Sequence, residues 1–69
     1  MKKYKIKTDT SRDKDELMSI IFNTDKKVII KPIDSWTFKI KTSLSWRDLW
    51  VIIMYNKISV TNFKKCIFM

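Results

Sequence analysis

The sequence predicts a small α+β domain whose elements run in the order β-α-β-β-α-β. Two segments alternate strictly between apolar residues and polar ones that are mostly lysine, and two others carry apolar residues at helical spacing behind a capping residue. At 69 residues the chain has room for one unit, and we treat residues 1–69 as a single compact domain. A chain of this size buries only about 60% of its unfolded surface, so a dense apolar core or self-association must stabilise it.

The first two predicted elements are a strand and a helix. Residues 4–8 alternate apolar and polar side chains, which is typical of a half-buried strand. Residues 9–23 predict a helix, with Thr10 or Ser11 as the N-cap, acidic residues in the first turn and an apolar stripe behind them. We expect Asn23 to end this helix in the left-handed conformation that glycine usually supplies.

A β-hairpin is predicted next. Residues 27–33 read as a strand, and Pro32 places it at a sheet edge because proline has no N–H to donate. Asp34 and Ser35 form the turn into the alternating segment 36–42. Trp36, Phe38 and Ile40 share one side of that second strand, and its lysines share the other.

The segment 43–57 permits two interpretations. Ser45 followed three residues later by Asp48 indicates a capped helix start. One helical face would then carry Trp46, Leu49, Trp50 and Ile53. Residues 51–53 are β-branched, however, and they could instead pair with the last predicted strand, residues 58–63, as a C-terminal hairpin. We favour the helix, because the capping signal and the tryptophan spacing agree.

The resulting element order resembles the ferredoxin-like split βαβ arrangement. This resemblance implies an antiparallel sheet of order 4-1-3-2 with both helices on one face. The alternative is a βαββ unit followed by a C-terminal hairpin. In the ferredoxin-like arrangement the core receives Tyr4, Ile6, Trp36, Phe38 and Ile40.

A lysine-lined sheet face is the main functional signal. Fifteen basic residues oppose seven acidic ones, a net charge of +8 that favours an anionic partner. The predicted uncovered face carries Lys3, Lys5, Lys7, Lys31, Lys39 and Lys41. We expect these side chains to contact nucleic acid phosphates through salt-sensitive, sequence-tolerant binding. A solvated face that resists association would show the same pattern.

Two partner classes follow from this face. The RNA-recognition module shares the element order but carries aromatic residues on its open face, whereas Trp36 and Phe38 lie opposite the lysines here. The alternative to a nucleic-acid-binding module is an inhibitor or adaptor that docks on an acidic or nucleic-acid-binding protein. Phage inhibitors, anti-CRISPR proteins among them, are similar in size and style. The codon bias implied by abundant Lys and Ile suggests a low-GC organism or its phage.

The sequence predicts no enzyme, no cofactor and no metal site. Asp13, Asp15 and Glu16 suit the first turn of a helix, where the helix dipole favours negative charge. Ser43 and Ser45 have no histidine to act as a base, so capping explains them better than nucleophilic chemistry. Glycine-rich phosphate loops are excluded because the chain has no glycine.

The second predicted helix is apolar nearly all round, which indicates burial on more than one side. Val51, Met54 and Tyr55 lie off its core stripe and are candidates for a homodimer or partner contact. The longest apolar run, residues 49–55, is far shorter than the ~20 residues that span a bilayer. We therefore expect a cytoplasmic protein without a membrane span.

Overall fold

An antiparallel sheet with helices against one face forms the body of the protein. In the computed structural model, which describes residues 1–66, the elements are β1 (Lys2–Thr8), α1 (Ser11–Thr24), β2 (Ile29–Pro32), β3 (Thr37–Thr42), α2 (Trp46–Tyr55) and β4 (Val60–Lys65). Across these residues the sheet has the order β2-β3-β1-β4, and each adjacent pair is antiparallel. The predicted α+β class is confirmed. The C-terminal hairpin alternative is wrong, because α2 is a helix.

Both helices begin at the capping residues that the sequence predicts. Thr10 is the N-cap of α1, and its hydroxyl accepts a hydrogen bond from the Asp13 backbone N–H at 3.1 Å. Ser45 opens α2 with a complete capping box: the Asp48 N–H donates to the Ser45 hydroxyl at 3.1 Å, and the Ser45 N–H donates to the Asp48 carboxylate at 3.0 Å. The hydrogen bond from the Ser45 N–H is the main cause of the lowered pKa of Asp48. Neither helix of the described part is long and apolar enough to cross a membrane.

The core lies between one face of the sheet and the two helices. Its completely buried apolar side chains are Tyr4, Ile6, Leu17, Ile21, Phe38, Ile40 and Leu49. Tyr4 keeps its hydroxyl bonded by donating to the Leu44 carbonyl at 3.1 Å, and burial raises its pKa. Trp46 of α2 stacks on Phe63 of β4 with ring centroids 4.0 Å apart, which joins the second helix to the last strand.

The prediction that Trp36 fills the core is wrong. Its side chain is 47% exposed, because β3 begins one residue later and Trp36 belongs to the turn. The Trp36 N–H donates to Asp34 Oδ1 at 2.8 Å, and its carbonyl accepts from the Thr8 N–H at 2.8 Å. These backbone bonds fix Trp36 at the end of the sheet.

The predicted left-handed stop at Asn23 is also wrong. Helix α1 continues to Thr24, and Asp25 follows in an extended conformation with φ −127°. The Asp25 carboxylate then accepts a hydrogen bond from the Thr42 hydroxyl at 2.6 Å, which ties the end of α1 to the end of β3. Among residues 1–66, the residue with positive φ is Lys57, at 54°, just after α2.

The predicted strand limits need smaller corrections. The edge strand β2 is shorter than residues 27–33, although it does lie at a sheet edge as Pro32 predicts. The last strand lies two residues later than predicted, at 60–65 instead of 58–63. The sequence does not determine whether the C-terminal segment is ordered. The last part of that segment, residues 67–69, lies outside the described residues.

Asp9 fixes the junction between β1 and β4. The register of this pair shifts after Lys7, which lies opposite Asn62, so that Thr61 is an extra residue in β4. The Asp9 carboxylate accepts hydrogen bonds from the hydroxyls of Thr61 and Ser59, and these bonds lower its pKa. The bulge is thereby held in place, and the residues beyond it stay in register with β1.

Replacing the α2 cap should destabilise the protein. Ser45→Ala removes the hydroxyl that accepts from the Asp48 N–H, and we expect a loss of about 1 kcal/mol in the free energy of unfolding. Urea unfolding followed by circular dichroism measures this loss. Ser43→Ala is the matched control, since the exposed Ser43 side chain lies outside the capping box. Equal stability of the two variants would contradict the capping role.

The Asp9 junction should make stability depend on pH. Folding lowers the pKa of Asp9, so its ionised carboxylate stabilises the folded state. This stabilisation is complete above the unfolded carboxyl pKa of about 3.9 and is lost as the pH falls through the pKa of the folded protein. Asp9→Asn should lower the urea midpoint at neutral pH, and this difference from the parent protein should shrink in acid. Glu16→Gln, which removes one negative charge from an exposed position on α1 outside the Asp9 junction, is the control variant. A constant difference at all pH values would show that Asp9 does not act through its charge.

Candidate functional site

The pairing of β1 with β3 determines which side chains share the uncovered sheet face. Ile6 lies opposite Phe38, and both point into the core. Because side chains alternate along a strand, the flanking lysines point to the other face. On that face Lys5 lies directly opposite Lys39, and Lys3 lies directly opposite Lys41.

The outer strands extend this arrangement across the whole sheet. Lys31 of β2 lies opposite Lys39, and Lys64 of β4 lies opposite Lys5. These residues form one line perpendicular to the strands, which we call the lysine row: Lys31, Lys39, Lys5 and Lys64. With neighbouring strands about 4.8 Å apart, the row is about 14 Å long. We use the name lysine face for the row together with Lys3, Lys7 and Lys41.

All six lysines predicted from the sequence therefore lie on one face, and their role in binding stays a prediction. Sequence reasoning missed two polar residues beside them, Asn62 and Lys64. The signal was present, since both flank the core residue Phe63 and so point away from the core. Lys64 was missed because the predicted strand ended at Phe63. Asn62 lies within the predicted strand, but it is uncharged and was not counted among the candidate cations.

The lysine row places like charges directly opposite each other on adjacent strands. Each such pair costs roughly 0.2–1 kcal/mol relative to an uncharged pair. Within residues 1–66, no carboxylate forms a salt bridge with a lysine of the row. Lys5 and Lys39 are half-buried, while Lys31 and Lys64 are exposed. The fold thus keeps a charge arrangement that lowers its own stability.

A cavity of about 230 Å³ opens on the lysine face near its β1–β4 side. Its basic lining comes from Lys5, Lys7 and Lys64, and the turn between β2 and β3 adds Asp34. The Asp34 carboxylate accepts hydrogen bonds from the N–H groups of Trp36 and Thr37, each at 2.8 Å. The Trp36 bond is the main cause of its lowered pKa, and the charge of Lys7 contributes. Asp34 is therefore ionised at neutral pH.

The apolar candidates of α2 lie away from the lysine face. Val51, Met54 and Tyr55 are 59%, 72% and 85% exposed, and their spacing of three and four residues makes one stripe along the helix. The opposite side of α2 inserts Leu49 and Ile53 into the core. Since α2 covers the other side of the sheet, the structure does not bring this stripe and the lysines together.

The described residues contain no group of three or more His, Cys, Asp or Glu side chains that could hold a metal ion. Two acidic residues of α1 have local partners: Asp13 accepts from the Thr10 hydroxyl at 3.0 Å, and Asp15 pairs with Lys14 at 3.7 Å. Cys66 is a half-buried free thiol next to the last strand.

No family model matches the chain, and no curated protein matches it significantly. The candidate site is therefore defined by its geometry alone.

Reversing the charge at the centre of the row should stabilise the fold. Lys39→Glu replaces repulsion from Lys31 and Lys5 with attraction, and we expect a gain of about 0.5–1 kcal/mol at low salt. The gain should shrink at high salt because exposed charges are screened. Urea unfolding at two salt concentrations measures both effects.

The matched control for this change is Lys65→Glu. Lys65 lies in the same sheet opposite Tyr4, outside the lysine row, so the same charge change should give a smaller gain. An equal gain in both variants would assign the effect to net charge instead of to the row.

Proposed function

We propose that this protein is a small, non-enzymatic binding module that contacts nucleic acid phosphates through its lysine face. The observation that carries the proposal is the lysine row, in which Lys31, Lys39, Lys5 and Lys64 are direct neighbours on successive strands. Each of these strands could have carried a neutral polar side chain at the same position. A partner with closely spaced negative charges would convert the repulsion within the row into attraction.

The composition of the face supports phosphate contact over base recognition. Single-strand binders that stack bases place aromatic residues among their cations. On this face the residues between the lysines are short or aliphatic, with Thr37 and Asn62 near the cavity and Ile29 opposite Lys41. The proposed contacts are therefore made to the nucleic acid backbone, with little dependence on sequence.

Binding to nucleic acid should depend steeply on salt. Fluorescence anisotropy with duplex and single-stranded DNA and RNA, at several salt concentrations, gives the slope of log K against log[salt]. The double variant Lys5→Gln/Lys39→Gln removes two contacts. We expect its slope to fall in magnitude by about 1.8 on duplex DNA and about 1.4 on single strands.

Lys26→Gln/Lys65→Gln is the matched control, because it removes the same charge outside the lysine face. Its slope should stay close to that of the parent protein. The proposal is wrong if the salt slope falls by the same amount in both double variants, or if the parent protein binds none of these nucleic acids.

The second candidate is an inhibitor or adaptor that docks on an acidic or nucleic-acid-binding protein, in the manner of a phage or anti-CRISPR inhibitor. The exposed stripe of Val51, Met54 and Tyr55 favours it, because such a stripe on a helix suits a protein partner or a second copy of the chain. Failure to bind any nucleic acid, together with a specific protein complex that requires this stripe, would support this candidate over the first.

The ferredoxin-like classification, a cytoplasmic location and a low-GC bacterial or phage source belong to the same proposal. The sheet order and the position of both helices support the first of these. The net charge of +8 and the amino-acid composition support the others.

A further inference from the structure

We propose that the cavity on the lysine face is a binding site for a phosphate monoester, the group at a phosphorylated end of a nucleic acid strand. The nucleic acid source rests on the proposed function, whereas the phosphate chemistry follows from the cavity itself. The cavity measures about 230 Å³, several times the ~30 Å³ that one water molecule occupies in the liquid. It therefore has room for a tetrahedral anion with part of its hydration shell.

Two cross-strand pairs build the basic side of the cavity. Lys5 lies opposite Lys64, and Lys7 lies opposite Asn62. These two pairs are neighbours on the lysine face, and together they supply three ammonium groups and one side-chain amide. Each of these groups donates hydrogen bonds, and phosphate oxygens accept them. The bulge at Thr61 and the Asp9 junction keep these pairs in register, which gives the bulge a role in the site.

The charge of the cavity fits a dianion better than a monoanion. The three lysines and the ionised Asp34 give the cavity a net charge of +2. A phosphate monoester carries a charge of about −1.5 to −2 at pH 7, whereas each phosphate within a strand carries one negative charge. The monoester therefore neutralises the cavity more completely than a backbone phosphate does.

Asp34 lowers the positive potential of the cavity. Its carboxylate is held by the N–H groups of Trp36 and Thr37, so it cannot turn away from the cavity without losing those bonds. The carboxylate therefore weakens the attraction for any anion that enters. Because both the repulsion from Asp34 and the attraction to the lysines scale with the charge of the ligand, a dianion still gains about twice as much as a monoanion from the net positive charge of the cavity.

The direct test compares one short single-stranded DNA in three forms: with a 5′-phosphate, with a 3′-phosphate, and with hydroxyls at both ends. Anisotropy should show that at least one phosphorylated form binds about tenfold more tightly than the form with two hydroxyl ends. A tenfold change in affinity corresponds to the free energy of one charge-assisted hydrogen bond. Lys7→Gln should abolish this preference. Lys41→Gln removes the same charge from the same face outside the cavity, so it should weaken all three forms and keep the preference.

A second variant tests the role of Asp34 by a gain of binding. Asp34→Asn keeps an oxygen that can accept the backbone hydrogen bonds but removes the negative charge. Because the lost repulsion is about twice as large for a dianion as for a monoanion, binding of the phosphorylated form should tighten more than binding of the unphosphorylated DNA, so the preference should rise severalfold. An unchanged preference would contradict the placement of the terminal phosphate beside Asp34.

A nuclear magnetic resonance titration with inorganic phosphate separates this inference from the proposed function. A saturable shift of the Asn62 side-chain amide that is lost in Lys7→Gln supports the site even if no DNA binds, and then indicates free phosphate as the ligand. Equal binding of the three DNA forms overturns the end of a nucleic acid strand as the ligand, while the proposed function stands. The absence of both DNA preference and a phosphate-induced shift overturns the inference outright.

Discussion

The antiparallel register of β1 and β3 is the constraint on which the rest of the structure depends. It sets Ile6 opposite Phe38 in the core, and by the same alternation it sets Lys5 opposite Lys39 on the other face. A shift of one residue would exchange the two faces and bury the lysines, at a cost that no partner could offset. The register that builds the core therefore also builds the lysine face, and neither can change alone.

Stability and the proposed function make opposite demands on the sheet. Buried apolar side chains from both central strands and both helices hold the fold together, and capping hydrogen bonds place the helices. The lysine row weakens the same fold through repulsion between adjacent strands. Proteins commonly retain destabilising groups where a ligand needs them, and the row has this character. The bonds of Asp9 keep β4 in place despite that repulsion.

The sequence was sufficient for the class, the element order and the capping residues, because alternation and capping are local patterns. It failed where tertiary contacts outweighed local preference. Trp36 obeys the alternation of β3 but lies outside the strand, where bonds to Asp34 and Thr8 hold it in the turn. Helix α1 does not end at Asn23: it continues to Thr24, and the Asp25 carboxylate that follows accepts a hydrogen bond from the distant Thr42. Lys64 was missed because the predicted last strand ended at Phe63, one residue before it, whereas β4 continues to Lys65.

Both edges of the sheet carry features that hinder further strands from joining. Strand β2 is short and ends in Pro32, which offers no N–H, while β4 is distorted by its bulge and ends in Lys64 and Lys65. Growth of the sheet from chain to chain, the usual first step towards fibrils, is thus disfavoured in a protein rich in β-branched residues. Pairing of two copies through the helical layer would leave the cationic surface accessible in such an assembly.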